Sequence, residues 1–228
     1  MTDWDSQAES YSRVRESRRE TVFTHVRDKL VADEVETLLD FGGGDGQFSA
    51  FCASSIRHVV SYDPAPHMTA LARAVCAGHA NVDVVATSQS LRDGSFDAVT
   101  LNAVWMCLPT EAECLTCLLE VKRLLRPGGQ MVASVTHPCF RDRHFGTYWT
   151  DFEMGDYLRD GSRFNVTIDD GQSRFVIRDT HWSLGAMARQ VKLAGMVLVD
   201  LCELPDAPAE GRNMGLGSPW LVITTQRC

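Results

Sequence analysis

The stretch Leu38-Leu39-Asp40-Phe41-Gly42-Gly43-Gly44-Asp45-Gly46-Gln47-Phe48-Ser49 decides how the rest of the chain reads. An apolar run ends in glycines and a helix-compatible segment follows, which predicts strand, tight turn and helix in that order. Glycine lets such a turn take positive φ and lets backbone approach a ligand closely. In open α/β sheets the ligand crevice lies beyond the carboxyl ends of the strands, where this turn falls. Some way downstream, a second apolar run closes in Ser61-Tyr62-Asp63-Pro64. An acid about 20 residues after a glycine turn can accept hydrogen bonds from both hydroxyls of a ribose.

Outward from the turn, short apolar runs recur at 37–41, 58–62, 82–86, 96–101 and 131–136. Each is rich in Val, Leu or Phe and bounded by turn residues, the pattern of parallel strands buried on both faces. Helical patterns lie between them. Thr110-Glu111-Ala112-Glu113 fits a capping box, Leu115, Leu118, Leu119, Val121 and Leu125 favour one face, and Arg126-Pro127-Gly128-Gly129 predicts the stop. A second helix starts after Ser183, carries Met187, Ala188, Val191 and Ala194, and ends at Gly195. Residues 6–31, with Tyr11, Val14, Val22, Phe23, Val26 and Leu30 among charges, read as one or two amphipathic helices. The alternation implies an α/β fold: an open, mostly parallel seven-stranded sheet with helices on both faces. The last two runs, 196–202 and 220–225, are joined without a helix, which predicts an antiparallel closing pair. Residues 137–180 break the rhythm. They are aromatic, charged and non-helical, and 164–168 and 174–177 flank Asp170-Gly171, a hairpin signal. We read them as an insertion over the top of the sheet.

The composition suits one globular domain, since 228 residues at 44% hydrophobic and 23% charged can bury a full core without staples. No apolar run reaches the roughly 18 residues of a membrane span. The acidic start, Met1-Thr2-Asp3-Trp4-Asp5, lacks a secretory pattern, so a soluble, cytoplasmic protein is expected. With 22 basic and 30 acidic residues the net charge is −8, which disfavours unselective binding to nucleic acid or anionic membrane. The eight cysteines are scattered through apolar segments. Only Cys114-Leu115-Thr116-Cys117 has ligand-like spacing, with no second pair or His set, so reduced thiols and no metal are expected.

Two ligands suit a glycine turn followed by a strand-ending acid: a dinucleotide and S-adenosylmethionine. The dinucleotide spacing G-x-G-x-x-G is not met, because position 47 is Gln. A P-loop is excluded, as no Gly-Lys-Ser/Thr follows. The loop Gly42–Gly46, Asp63, Asp93-Gly94-Ser95-Phe96-Asp97-Ala98-Val99 and Leu125-Arg126-Pro127-Gly128-Gly129, in that order, resemble class I S-adenosylmethionine-dependent methyltransferases. The likeness covers residues 35–136 most strongly. It implies that Gly42, Gly44 and Gly46 hold the methionine part of the cofactor and that Asp63 binds the ribose. It also implies that Pro64, His67 and Met68 border the adenine, that Asn102 and Ala103 meet the methionine ammonium, and that Tyr11 belongs to a lid. One departure is that Ala86-Thr87-Ser88-Gln89 holds no acid where such proteins usually grip the adenine amino group, which leaves Thr87 or Ser88 to substitute. The implied organisation is one methyltransferase domain: a helical lid at 1–33, a cofactor core at 34–136, a substrate-side insertion at 137–180, and a final helix with closing strands at 181–228.

Methyl transfer asks mainly for orientation and electrostatics, because the activated methyl arrives with the cofactor. Candidates for catalysis therefore come from position. His137 ends the fifth strand and His181 opens the following helix; either suits a base, and either equally suits loop or helix-cap hydrogen bonding. Phe140, Phe145, Tyr148 and Trp149 suit an apolar substrate wall or the insertion's own core. Arg141, with Arg143, suits an anionic substrate or a solvated loop face. The expected activity is methylation of O or N of a small molecule by a monomer or homodimer. The other readings are methylation of RNA or protein, for which no basic face or Asn/Asp-Pro-Pro-Tyr/Phe tetrapeptide is present, and a cofactor-binding protein without turnover. A nicotinamide dehydrogenase fails on loop spacing.

Overall fold

The computed structural model describes residues 17–145, 148–169, 171, 174–205 and 219–228. The described residues open with helix α1 Ser17–Ala32, then strand β1 Thr37–Phe41, α2 Gln47–Cys52, β2 His58–Tyr62, α3 Pro66–Cys76, β3 Val82–Val85 and β4 Phe96–Asn102. Helix α4 Glu111–Leu124 and strand β5 Leu125–Thr136 follow, then the short strands β6 Tyr148–Thr150, β7 Arg163–Asp169 and β8 Arg174–Thr180. Helix α5 Leu184–Leu193 and strands β9 Met196–Leu204 and β10 Trp220–Arg227 complete it. No described helix is long and apolar enough to cross a membrane.

The main sheet has the order β3-β2-β1-β4-β5-β10-β9, and β10 runs antiparallel to both neighbours. Strand order reverses direction between β1 and β4, so their carboxyl ends form the switch point where crevices open in such sheets. Successive side chains of a strand point to opposite faces. Leu39 accordingly joins a core under α4 and α5 with Val99, Leu118, Val121, Met187 and Val191, while Leu38 joins one under α1 and α2 with Val22, Val26, Leu30 and Phe48. Both leucines are fully buried, as the uninterrupted apolar runs predict. Trp105, just past β4, is 1% exposed, and its indole N–H donates to Gln190 Oε1 at 2.8 Å, tying the post-β4 turn to α5.

Local signals account for most boundaries. Thr110 Oγ1 accepts from Glu113 N at 3.2 Å and donates to Glu113 Oε2 at 2.5 Å, so the two caps meet at their side chains. Ser183 Oγ accepts from Ala186 N at 3.2 Å at the start of α5. Gly195 takes φ 69 after that helix, as a terminating glycine should. Arg126-Pro127-Gly128-Gly129 follows a helix that ends at Leu124, as the stop predicts, but these residues belong to β5 rather than preceding it. A register shift against β4 between Phe96 and Ala98 absorbs the extra length, and Gly129 fits because a Cβ there would meet the Arg126, Asp97 and Phe96 carbonyl oxygens at 2.9–3.2 Å.

Strands β6, β7 and β8 form a separate antiparallel sheet with its own core of Phe145, Tyr148, Phe152, Phe164, Val166, Ile168 and Phe175. The expected hairpin is β7–β8, longer than its sequence signal, with Gly171 at φ 83 in the turn. Tyr11 and Val14 lie outside the described residues.

Candidate active site

The carboxyl ends of β1, β4 and β5 open on a cleft of about 1040 Å³, counted to its open mouth. One wall is the glycine turn with Asp40, Gly42, Gly43, Gly44 and Asp45, continued by Asn102 and Ala103. The other is the inward face of β6–β8, with Tyr148, Val166, Ile168, Phe175, Ile177 and Asp179. Thr136, Trp220 and, from α1, Val22 and Phe23 fill the sides.

The turn is held by its neighbours. The Gly42 and Gly43 N–H groups both donate to Tyr62 O, at 2.7 and 2.9 Å, and Gly44 N donates to Asp63 Oδ2 at 3.0 Å. The other carboxylate oxygen, Asp63 Oδ1, accepts from Ala65 N at 2.8 Å, so the strand-ending acid is locked beside the loop. The three glycines do different work. Gly42 and Gly44, at φ 75 and 57, line the cleft, and a Cβ on Gly44 would meet nothing within 4 Å. Gly46, at φ 80, lies away from the cleft wall: a Cβ there would meet Ala72 Cα at 2.9 Å, so it lets α2 pack onto α3.

Asp40 is a site residue that the motif reading passed over. It sits fully buried in β1, where Ser49 Oγ donates to its Oδ2 at 2.8 Å and Thr100 Oγ1 to its Oδ1 at 3.1 Å. Burial pushes its carboxyl up to about 6, against those hydrogen bonds, which pull it down. Its signal was present, since an acid inside an otherwise apolar run has to be buried and satisfied. Asp45, 4% exposed, accepts from Gln47 Nε2 at 2.6 Å and adds a second carboxylate to the same wall. Asn102 and Ala103 take the expected place. Ala103 holds φ 57, unusual for a residue with a Cβ, with its N–H on Ser134 O at 2.9 Å. Asn102 Oδ1 accepts from Ser134 Oγ at 3.0 Å, and its side chain also hydrogen-bonds towards the Asp40 carboxylate.

Asp63, Pro64, His67, Met68, Thr87 and Ser88 gather at the carboxyl ends of β2 and β3, beside this cleft rather than on its wall. Met68 is buried, Pro64, His67 and Thr87 are exposed, and the buried Ser88 hydrogen-bonds towards Tyr62 and Glu120.

Neither histidine lines the cleft. His137 is 3% exposed; its Nδ1 accepts from Cys139 N at 3.2 Å, which places the ring proton on Nε2, facing Glu203 Oε1 at 2.8 Å. Burial outweighs the Glu203 contact and holds His137 below the usual imidazole range. His181 is fully buried between Phe152 and Tyr157, with Nε2 on Tyr157 O at 2.7 Å. Desolvation lowers it to about 4, so it stays neutral. Of the expected substrate residues, Tyr148 lines the cleft, and its hydroxyl donates to Pro219 O at 3.1 Å. Phe140 packs on the small core and against the His137 ring. Trp149 lies outside the cleft wall, stacked on His144 with the Arg174 guanidinium 5.4 Å from its ring centre. Arg141 is neither a solvated loop residue nor on the wall. It is 2% exposed, with its guanidinium 4.5 Å over the Phe164 ring.

Asp179 is the polar group that the sequence reading missed on the far wall. It occupies an inward position of β8, opposite Phe164, and is 1% exposed. Burial pushes its carboxyl up to about 7, although Arg141 and Arg163 pull it down. The two-residue period Phe175, Ile177, Asp179 on one face is its sequence signal.

Residues 39–133 match the family described as "Methyltransferase domain". An uncharacterised methyltransferase of Mycobacterium tuberculosis is 31% identical over 160 residues, which cover 68% of this chain and 61% of that protein. The chain spans about half the length of the curated relatives it matches, between 43% and 61%. The CcbJ methyltransferase of Streptomyces caelestis superposes with a TM-score of 0.72 at 18% identity, over 100% of this chain and 98% of that one. The 1,6-didemethyltoxoflavin-N1-methyltransferase of Burkholderia thailandensis was solved with 1,6-didemethyltoxoflavin and S-adenosylhomocysteine bound. It superposes with a TM-score of 0.63 at 19% identity, over 99% of this chain and 85% of that one. At such identities these two structures establish the shared fold.

Proposed function

We infer that the chain, which belongs to the class I S-adenosylmethionine-dependent methyltransferase family, transfers a methyl group to O or N of a small molecule held under β6–β8. The observation that carries this reading is the sign of the glycine wall. A dinucleotide would bring its pyrophosphate to this turn, where the Asp40 and Asp45 carboxylates line the cleft. Two buried acids repel such an anion and suit the cationic ammonium and sulfonium of S-adenosylmethionine. The open space over Gly44 also fits a ligand there. Gly42 and Gly44 would hold the methionine part through backbone, with Asn102 and Ala103 beside its ammonium and Asp63 on the ribose. Pro64 and Met68 would border the adenine, and Thr87 and Ser88 its polar edge. Tyr11 would contribute from the amino-terminal segment.

Bound in this way, S-adenosylmethionine supplies a methyl group already activated for in-line displacement. What remains for the chain is to orient the acceptor and exclude water. The far wall suits this, because six of its residues converge from a rigid three-stranded sheet and most are apolar. The net charge of −8 and the roofed cleft favour a small acceptor over RNA.

The test is titration with S-adenosylmethionine, S-adenosylhomocysteine and NAD, read as a thermal shift. The first two are expected to raise the melting temperature and NAD to leave it unchanged; no shift with either adenosyl compound overturns the reading. Asp63→Ala removes the charged acceptor from two ribose hydroxyls and should weaken S-adenosylhomocysteine binding by about 1.5–3 kcal/mol, or roughly 10- to 150-fold. Calorimetric titration of the variant measures it, and unchanged affinity would remove Asp63 from the site.

A further inference from the structure

The far wall carries one charged side chain with no local use. No hydrogen bond to the Asp179 carboxylate is made by any described residue, its Oδ1 is wholly enclosed, and the group lines the cleft. Around it stand two guanidiniums. Arg141, equally buried, leaves Nε and Nη1 without partners, and its Nη2 reaches only Thr136 O at 3.5 Å. Arg163, from β7, turns one nitrogen to Arg178 O at 2.9 Å. Among the described residues neither closes to an ion pair with Asp179. A folded protein rarely leaves a buried carboxylate without donors unless something else supplies them. The far wall that carries it is otherwise apolar, with Val166, Ile168, Phe175 and Ile177.

We propose that Asp179 receives the methyl acceptor, taking the hydrogen bond of its O–H or N–H on an otherwise apolar wall, so that the substrate is an uncharged, ring-sized molecule bearing a weakly acidic O–H or N–H. This rests on the methyltransferase reading and deepens it. The charge arrangement selects the class. With Asp179 ionised, the acceptor meets one carboxylate whose charge is offset by Arg141 and Arg163 behind the wall, which disfavours an ammonium and favours a neutral donor that becomes more anionic as it reacts. In the transfer step the acceptor's O–H or N–H bond breaks and its proton goes to the Asp179 carboxylate. The acceptor's lone pair forms the new bond to the methyl carbon, and the electrons of the broken C–S bond stay on sulfur. Arg141 and Arg163 act on Asp179 through charge and are positioning residues.

Binding of 2-naphthol, 2-methoxynaphthalene and 1-naphthylmethylamine, measured by calorimetry at pH 8 with S-adenosylhomocysteine present, tests the proposal. The first carries the donor, the second lacks it, and the third presents an ammonium. The protein is expected to bind 2-naphthol about 10- to 150-fold more tightly than 2-methoxynaphthalene, as for a hydrogen bond to a charged acceptor. Asp179→Asn should shrink that preference to below about 10-fold while leaving S-adenosylhomocysteine affinity within about 2-fold. Equal binding of 2-naphthol and 2-methoxynaphthalene by the unmodified protein overturns the proposal, whether or not the variant folds. Tightest binding of the amine also overturns it, in favour of a cationic acceptor. Failure of S-adenosylhomocysteine itself to bind the unmodified protein would instead overturn the underlying methyltransferase reading.

Discussion

Gly46→Ala is expected to cost about 2–5 kcal/mol of folding stability, as the sum of two effects. A residue with a Cβ in the left-handed region loses about 1–2 kcal/mol, and Gly46 holds φ 80 at the N-cap of α2. The added methyl would also meet Ala72 Cα and Cβ at 2.9 Å and Cys76 Sγ at 3.1 Å. The first of these contacts is backbone of α3, so the two helices must separate, and overpacking of that kind costs about 1–3 kcal/mol. Against a typical total of about 5–15 kcal/mol this is a large fraction, worth about 4–20 °C in melting temperature for a chain of this size. Gly44→Ala supplies the contrast. At φ 57 with open space beyond its Cβ, it incurs only the conformational cost, but its methyl would occupy the space proposed for the methionine part of the cofactor. Calorimetric melting and S-adenosylhomocysteine titration of both variants separate the effects: Gly46→Ala should lose mainly stability, and Gly44→Ala mainly affinity. A Gly46→Ala protein that melts with the unmodified one would show that α3 does not lean on this turn as described.

The same loop shows how far the sequence could be read. Strand, glycine turn, helix and strand-ending acid follow one another within 26 residues, Leu38 to Asp63, and local rules suffice for each. The mostly parallel seven-stranded sheet then followed from the alternation of runs, and the reversed β10 from the missing helix before it. What could not be read was direction. His137 stands at the strand end where it was expected, yet Glu203 and the Cys139 N–H, one of them 66 residues away, claim both ring nitrogens. Arg141 was read with Arg143 as meeting an anionic substrate or solvent; its neighbours Asp142 and Arg143 are exposed, but the Arg141 guanidinium lies over the Phe164 ring, on β7, inside. Asp179 was hidden for the opposite reason. The apolar signal of β8 fades at Ile177, and only the pairing of Phe164 with Asp179 shows that the strand continues inward. Long-range packing thus chose which polar side chains face the cleft, and no local pattern encodes that choice except the strand period.

Asp179 should contribute a fall in stability as pH rises from about 4 to about 7, and Asp179→Asn should remove that contribution. In the folded state the Asp179 carboxyl is raised from 3.8 to about 7, chiefly by burial, with the Arg141 and Arg163 charges opposing. The native state therefore holds a proton that the unfolded chain releases above about pH 4. Stability is highest below the unfolded value, declines through the interval and levels off above the folded one. A tenfold change in proton affinity is worth about 1.4 kcal/mol, so the rise from 3.8 to about 7 amounts to about 4 kcal/mol as an upper figure. Three other groups titrate in the same window. Asp40, raised to about 6, adds to the fall, whereas His181, lowered to about 4, and His137, lowered by burial from 6.5, oppose it below about 6.5. Between about pH 6.5 and 7 the Asp179 proton dominates the slope, and subtracting the variant's profile isolates it throughout. At pH 4.5 the folded Asp179 is protonated and offers Arg141 no charge, so the neutral Asn there replaces a neutral acid. Asp179→Asn should therefore lie close to the unmodified protein at pH 4.5 and gain on it steadily as pH rises to 8. Urea unfolding at half-unit steps between pH 4.5 and 8 gives the difference curve. A difference that stays constant across that range would mean that the Asp179 carboxylate is already ionised at pH 4.5 and hydrated, which is incompatible with the dry, donor-poor end of the cleft.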